Sequence, residues 1–122
     1  MPHFVLDHKV SVFGGRIGTV YAPEARLEDV LGEPNRTPSC DGKVTVLWCF
    51  ANTQEPEHPF EIRDYWWNMP GEWSIGGAMT PPALCGLEPE KVAARCAWND
   101  LDDAQFILFR AWLGGLGLHV GE

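Results

Sequence analysis

The residues best suited to chemistry lie in one short stretch of the chain, where aromatic side chains stand beside an arginine. The stretch reads Arg63-Asp64-Tyr65-Trp66-Trp67-Asn68, and Glu72-Trp73 follows across a predicted turn. Aromatic rings stack on bases, and a neighbouring arginine can hold a phosphate through two hydrogen bonds. This combination predicts a pocket for a small nucleotide-derived ligand. The predicted ligand-binding residues are Arg63, Tyr65, Trp66, Trp67, Trp73 and Arg110.

The same stretch is also compatible with a purely structural role. Because side chains alternate along a strand, Arg63, Tyr65 and Trp67 would share one face of a strand that runs to residue 67. Asp64 and Trp66 would lie on the other face. Tryptophan clusters on central hairpins are common in packing and in oligomer interfaces, and Asp64 beside Arg63 would then be a simple charge pair.

No catalytic constellation is visible in the sequence. The four histidines are scattered, without an HExxH motif or carboxylates at metal-ligand spacing. His58 beside Glu55 and Glu57 is typical of a solvated loop, with a weak cation site as the alternative. Residues 14–18 lack the GxxxxGKS pattern of a phosphate-binding loop, and no local signature of a Ser or Cys nucleophile is present. We therefore expect no enzymatic activity, no metal and no cofactor.

Composition and charge argue against several classes of protein. The chain has 122 residues with 9 Lys+Arg and 17 Asp+Glu, which gives a formal net charge of -8. Affinity for nucleic acid comes largely from Lys and Arg that displace counterions, so a nucleic-acid polymer is not expected as a partner. The length and a hydrophobic fraction of 45% fit a single folded domain over residues 1–122.

Targeting signals and cysteine spacing bear on the compartment. The N-terminal residues lack the basic start and apolar stretch of a secretory signal, and no run reaches the roughly 18 apolar residues that span a bilayer. We expect a cytoplasmic protein without membrane association. The cysteines are Cys40, Cys49, Cys85 and Cys96. Their wide spacing favours reduced thiols over a disulfide framework or a zinc site, and Cys49 lies in an apolar run typical of the core.

Periodicity and turn residues predict the elements that position the aromatic stretch. In the first half these are strands over 10–13 and 16–21 around Gly14-Gly15, a helix over 23–31, and a strand over 43–52. The helix should turn Leu27, Val30 and Leu31 inward. The strand over 43–52 is apolar on both faces, which predicts an interior place in the sheet. Strands over 60–67 and 72–76 would then be joined through a type II turn at Met69-Pro70-Gly71-Glu72.

Two helices are predicted near the C-terminus. The first covers residues 90–97 behind Pro89, and the second runs from a cap at Asn99 or Asp100 to about Leu113. Apolar residues cover more than one stripe of the second helix, so one side of it is expected to face another subunit in a homo-oligomer. The predicted fold is α+β, a mostly antiparallel β-sheet with short helices packed on one side and a C-terminal helix.

The hairpin region also carries a pattern found in other proteins. Ile62-Arg63-Asp64-Tyr65 follows I-x-D-Y, Trp73-Ser74-Ile75-Gly76-Gly77 follows W-x-I-G-G, and residues 27–34 follow L-x-x-V-x-G-x-P. This pattern resembles small phage-encoded proteins and, through them, the phage Thoeris anti-defence sponge family. The resemblance implies an oligomer with a β-sheet core that sequesters cyclic ADP-ribose-type signals or cyclic oligonucleotides without cleaving them. Residues 78–99 depart from the pattern, so no ligand-binding residue is carried over to the last helix.

The sequence therefore predicts a phage counter-defence protein that sequesters a nucleotide-derived immune signal in the host cytoplasm. The alternative is an acidic protein that mimics nucleic acid and inhibits a host nuclease complex by occupying its basic groove. A virion or replication accessory protein without a ligand is a third possibility. Added salt distinguishes the first two hypotheses, because salt weakens binding that depends on surface charge and affects binding in an aromatic pocket much less.

Overall fold

The computed structural model describes residues 2–12, 14–39 and 41–121. Its six strands form one antiparallel sheet in the order β1-β3-β4-β5-β2-β6. The strands are β1 (Phe4–Leu6), β2 (Arg16–Tyr21), β3 (Leu47–Asn52), β4 (Phe60–Arg63), β5 (Glu72–Gly77) and β6 (His119–Gly121). The helices are α1 (Glu24–Leu31), α2 (Pro89–Gly115) and a short 3-10 helix, Pro82–Leu84. This is the predicted α+β architecture.

One face of the sheet carries the hydrophobic core. The buried apolar strand residues on this face are Phe4, Val20, Trp48, Phe50, Phe60, Ile62, Trp73 and Ile75. Helix α1 adds Leu27 and Leu31, and α2 adds Phe109 and Leu113, so both helices pack on the same side of the sheet. The predicted inward face of α1 is confirmed, with Val30 partly buried beside it.

Phe109 of α2 lies at the centre of this core. Its ring centroid is 4.8 Å from that of Phe60, 5.1 Å from that of Phe4 and 5.5 Å from that of Phe50. These three rings belong to β4, β1 and β3. A single helical side chain therefore joins three strands to α2.

The opposite face of the sheet is polar, and it is covered as well. Thr19, Glu61 and Ser74 are buried on this face. At one end of the sheet Gly14 lies against Gly77, where a β-carbon at position 14 would come within 1.4 Å of the Gly77 carbonyl oxygen. Only glycine fits at such an approach.

The first predicted hairpin is wrong. Residues 10–12 and 14–15 form no strand, and Phe13 lies outside the described residues. Strand β2 instead pairs with β5 and β6, which come from much later in the chain. The glycines at 14 and 15 had suggested a tight turn, but Gly14 serves the close approach to Gly77 instead.

The two predicted C-terminal helices form one continuous helix of 27 residues. Asn99 and Asp100 are residues that often cap helices, but no Pro or Gly interrupts the chain near them. Trp98 also packs on His58, with the two ring centroids 4.5 Å apart, and this contact holds the same turn of the helix in place. The prediction of apolar residues beyond the buried stripe is confirmed, since Ile107 is 63% exposed and Leu108 45%. No helix in the described ranges is long and apolar enough to cross a membrane.

The described cysteines agree with the prediction of reduced thiols and of a buried Cys49. Cys49 is buried on interior strand β3. Burial is the main reason why the pKa of its thiol is raised to about 12. Cys85 and Cys96 are also free thiols, both of them exposed. Cys40 lies outside the described residues.

Replacement of Phe109 tests the role of this ring. Phe109→Ala removes a fully buried side chain that touches three strands, and we expect the free energy of unfolding to fall by about 3–5 kcal/mol. Urea denaturation measures this loss. Ile107→Ala, on the exposed side of the same helix, is the matched control and should change stability by no more than about 0.5 kcal/mol. Equal losses in the two variants would contradict this view of the core.

Candidate functional site

The predicted aromatic site lies on the loop between β4 and β5, and β4 ends earlier than expected. The carboxylate of Asp64 accepts hydrogen bonds from the backbone N–H groups of Thr45 (2.8 Å) and Val46 (2.9 Å). The backbone N–H of Asp64 still donates to the carbonyl of Val46 at 3.1 Å, but the N–H of Val46 bonds to the carboxylate instead of a backbone carbonyl, and β4 ends at Arg63 while β3 begins at Leu47. The predicted strand over 60–67 is therefore wrong beyond residue 63, and Asp64 is not a charge partner of Arg63.

Further hydrogen bonds hold the rest of the loop. The backbone N–H of Asn68 donates to the carbonyl of Tyr65 at 2.8 Å, and its side-chain amide donates to the hydroxyl of Ser74 at 3.0 Å. The predicted type II turn over residues 69–72 is confirmed by a 3.0 Å hydrogen bond between its ends and a φ of 81° at Gly71. Hydrogen bonds thus hold the loop at Asp64, at Asn68 and at the turn over residues 69–72.

This loop presents a group of large exposed side chains to solvent. We term Tyr65, Trp66, Trp67 and Met69 the aromatic loop. Trp66 is 66% exposed, Trp67 55% and Met69 69%. The ring centroids of Tyr65 and Trp67 are 4.1 Å apart, and those of Trp66 and Trp67 5.4 Å. An exposed apolar cluster of this kind marks an interaction site in soluble proteins.

Arg63 lies on the polar face of the sheet, where a carboxylate of the same strand pairs with it. Its guanidinium forms an ion pair with Glu61 and donates to the carbonyl of Gly14 at 3.3 Å. The guanidinium carbon is 5.7 Å from the ring centroid of Tyr65. Burial raises the pKa of Glu61, and the charge of Arg63 partly offsets this effect. Any anion that approaches Arg63 must therefore compete with Glu61.

Arg63 and Tyr65 border an open concavity of about 380 Å³. Ser39 and Asp41 also line it. The hydrogen bond from the Ser39 hydroxyl is the main cause that lowers the pKa of Asp41, so this carboxylate is charged at neutral pH. Because like charges repel, Asp41 disfavours a phosphate in the concavity.

The structure does not bring the six predicted site residues together. The side chain of Trp73 lies on the core face, only 6% exposed, and its indole N–H donates to the carbonyl of Ala22 at 2.9 Å. Arg110 lies on α2, with its guanidinium carbon 5.6 Å from the ring centroid of Phe106. Since α2 packs on the core face and Arg63 lies on the polar face, the sheet separates both residues from Arg63.

Two features near the loop were not predicted from the sequence. Trp73 borders an apolar groove of about 750 Å³ together with Tyr21, Pro23 and Pro70. These residues come from separate elements, so no local pattern indicates the groove. The exposure of Met69 had a signal, because an apolar residue at the first position of a Pro-Gly turn is carried to the surface with that turn.

His58 is buried, and the expectation of a solvated loop around it is wrong. Its Nδ1 lies 2.8 Å from a carboxylate oxygen of Asp102, and its carbonyl accepts a hydrogen bond from Asn52 at 3.1 Å. The unbroken α2 brings Trp98 and Asp102 over this loop, which the prediction of two helices had not allowed. In residues 2–12, 14–39 and 41–121, no group of three His, Cys, Asp or Glu side chains is arranged to hold a metal ion.

Comparisons with known proteins found no matching family model, no matching curated protein and no matching solved structure. The resemblance of the hairpin to phage proteins therefore rests on its residues alone. In the fold, Ile62 and Ile75 of this pattern are core residues, and Asp64 anchors the loop. A β-carbon at Gly76 would lie 2.9 Å from a carboxylate oxygen of Glu61, so this glycine makes room for the buried carboxylate. Most of the pattern thus serves packing and loop geometry.

The raised pKa of Glu61 predicts a pH dependence of stability. A carboxyl whose pKa is higher in the folded than in the unfolded state stabilises the fold below its ordinary pKa of 4.5, and this contribution is lost as the pH rises through the raised pKa. We therefore expect the free energy of unfolding of the wild type, minus that of Glu61→Gln, to fall as the pH rises from the ordinary pKa of 4.5 through the raised pKa of Glu61. Urea denaturation at several pH values measures it.

Arg63 provides the control for this experiment. Its charge lowers the pKa of Glu61, so in an Arg63→Gln background the fall that depends on Glu61 should move to higher pH. A difference that does not vary with pH, or that moves to lower pH in the Arg63→Gln background, would contradict the assignment.

Proposed function

We propose that the protein is an acidic inhibitor that binds a partner protein through the aromatic loop. The observation that carries the proposal is the exposure of Trp66, Trp67 and Met69 on a loop held by its own hydrogen bonds. Tryptophan is enriched among the residues that contribute most to the affinity of protein interfaces. A loop that is already fixed also loses little conformational freedom on binding.

The charge of the chain indicates the chemistry of the partner. A net charge of -8 attracts a basic surface and speeds the encounter with it. We therefore propose a partner with a basic groove, of the kind that holds nucleic acid in a nuclease complex. An acidic protein seated in such a groove excludes the nucleic acid, and this accounts for inhibition without any catalytic group. The same role suits the counter-defence function that the sequence resemblance implies.

The geometry supports this function better than a closed nucleotide pocket. Trp73 and Arg110 lie on the other side of the sheet from Arg63, and the aromatic loop points its largest side chains to solvent. The concavity next to Arg63 contains the charged carboxylate of Asp41. These features weaken phosphate binding, whereas none of them opposes a protein partner.

A capture experiment tests the proposed function. Immobilised wild-type protein and the variant Trp66→Ala/Trp67→Ala are exposed to the same host lysate, and the bound proteins are then eluted with heparin, a polyanion that competes for basic grooves. We expect the wild type to retain a nucleic-acid-binding protein that heparin or added salt releases, and the variant to retain it at least about tenfold less.

Met79→Ala is the matched control, because Met79 is 64% exposed but lies outside the aromatic loop. This variant should capture the same protein as the wild type. Equal capture by Trp66→Ala/Trp67→Ala, or a captured protein that heparin does not release, would refute the proposal. Circular dichroism confirms that each variant is folded.

Sequestration of a nucleotide-derived signal is the second candidate function, and one observation favours it. Arg63 and Tyr65 border the same concavity, with the guanidinium over the ring at 5.7 Å. A base could stack on Tyr65 while Arg63 contacts a phosphate. The ligand would have to overcome the pairing of Arg63 with Glu61 and the charge of Asp41.

Calorimetry with cyclic ADP-ribose and with cyclic dinucleotides tests this second candidate. If it is correct, Tyr65→Ala should weaken binding by about fivefold or more, because stacking on an aromatic ring contributes about 1–3 kcal/mol per base. Arg110→Gln, on the other side of the sheet, should bind as the wild type does. No measurable binding, and no nucleotide released from heat-denatured protein, would exclude sequestration of these ligands.

A further inference from the structure

Helix α2 carries a second apolar stripe in addition to the one that faces the core. Its positions alternate at spacings of three and four residues, the pattern by which one helix packs along another. We term this stripe the α2 seam. It consists of Ala94, Ala97, Leu101, Ala104, Leu108, Ala111 and Gly115. All seven residues are exposed, and none of them is charged.

The α2 seam is distinct from the buried face of the helix. The buried residues of α2 are Trp98, Gln105, Phe109 and Leu113. At 3.6 residues per turn, the centre of the seam lies about 110° around the helix from the centre of the buried face. The sheet therefore covers one apolar face of α2 and leaves the other in solvent.

We propose that the α2 seam pairs with the α2 seam of a second copy of this chain, in antiparallel orientation, about a two-fold axis at Ala104. Between Ala97 and Ala111 the order of side chains is the same read from either end, and the outermost positions, Ala94 and Gly115, are both small. Outward from Ala104, Leu101 is matched by Leu108 and Ala97 by Ala111. A two-fold axis at Ala104 would therefore place leucine against leucine and small residue against small residue, as an isologous interface requires.

Charge distribution along α2 favours the antiparallel orientation. Residues 89–103 contain four acidic and two basic residues, whereas residues 104–115 contain Arg110 and no acidic residue. Antiparallel pairing brings each acidic half beside the less acidic half of the other copy, and it also opposes the two helix dipoles. Parallel pairing would place the acidic halves side by side.

The size of the α2 seam sets the expected strength of pairing. From residue 94 to residue 115 it is about 32 Å long, and it is about one helix wide, roughly 10 Å. The alanines and glycine allow the helix axes to approach to about 8 Å. This footprint of roughly 320 Å² per copy is smaller than that of stable specific interfaces, so we expect a weak, reversible dimer whose population rises with protein concentration.

The inference does not depend on the proposed function. The α2 seam lies on the helix that covers the core face, whereas the aromatic loop joins β4 to β5. Trp66→Ala/Trp67→Ala should therefore reduce capture of a partner at least about tenfold and leave dimerisation unchanged. Failure of one proposal is in this way distinguishable from failure of the other.

Analytical ultracentrifugation over a range of concentrations tests the dimer. Leu108→Glu places a carboxylate in the α2 seam and should raise the dissociation constant of the dimer by at least about tenfold. Asn99→Glu adds the same charge about 180° from Leu108 around the same helix and should leave the constant unchanged. A wild type that is monomeric at every concentration, or equal dissociation constants for the two variants, would overturn the proposal.

Disulfide trapping tests the orientation without weakening the helix. In a background with Cys40, Cys85 and Cys96 replaced by Ser, Ala104→Cys brings two thiols to the two-fold axis and should form a covalent dimer on oxidation. Ala94→Cys should not, because antiparallel pairing sets the two copies of residue 94 about 30 Å apart. Covalent dimers from both variants would show parallel pairing, and none from Ala104→Cys would show that the axis is elsewhere; either result overturns the proposal.

Discussion

The position of the aromatic loop depends on the hydrogen bonds that the carboxylate of Asp64 accepts. By accepting hydrogen bonds from the backbone of Thr45 and Val46, this one side chain ends β4, sets the start of β3 and directs the chain into the aromatic loop. An unbroken ladder would distribute the following aromatic residues over both faces of the sheet. The side-chain hydrogen bonds convert this alternation into a cluster on the surface.

Elements specified by neighbouring residues could be predicted from the sequence, and elements specified by distant ones could not. Helix α1 and the turn at 69–72 follow from local proline, glycine and apolar spacing, and both were predicted. The partners of β2 and the burial of His58 depend on residues about 40 or more positions away. Helix α2 was divided at Asn99 because capping propensity does not reveal the packing of Trp98 on His58.

In the candidate site too, features set by neighbouring residues could be predicted from the sequence, and features set by distant residues could not. The sequence located the aromatic cluster, since three tryptophans within eight residues mark this stretch in any fold. It could not assign faces, because the assignment of Arg63, Tyr65 and Trp67 to one face assumed a strand that Asp64 interrupts. The position of Trp73 in the core was equally hidden, since its contacts, the ring of Trp48 at 5.3 Å and the carbonyl of Ala22 at 2.9 Å, come from distant parts of the chain.

The strand order also determines the order in which the strands can pair during folding. Among the strands of the described residues, only the pairs β3–β4 and β4–β5 are consecutive in the chain, whereas Thr19 of β2 pairs with Gly121 of β6. Contacts between such distant residues cost chain entropy and form slowly. We expect the three-stranded unit β3–β4–β5, which contains the aromatic loop, to assemble early. The exposed side chains of the aromatic loop would then be in place on a partly folded chain before β1, β2 and β6 are added.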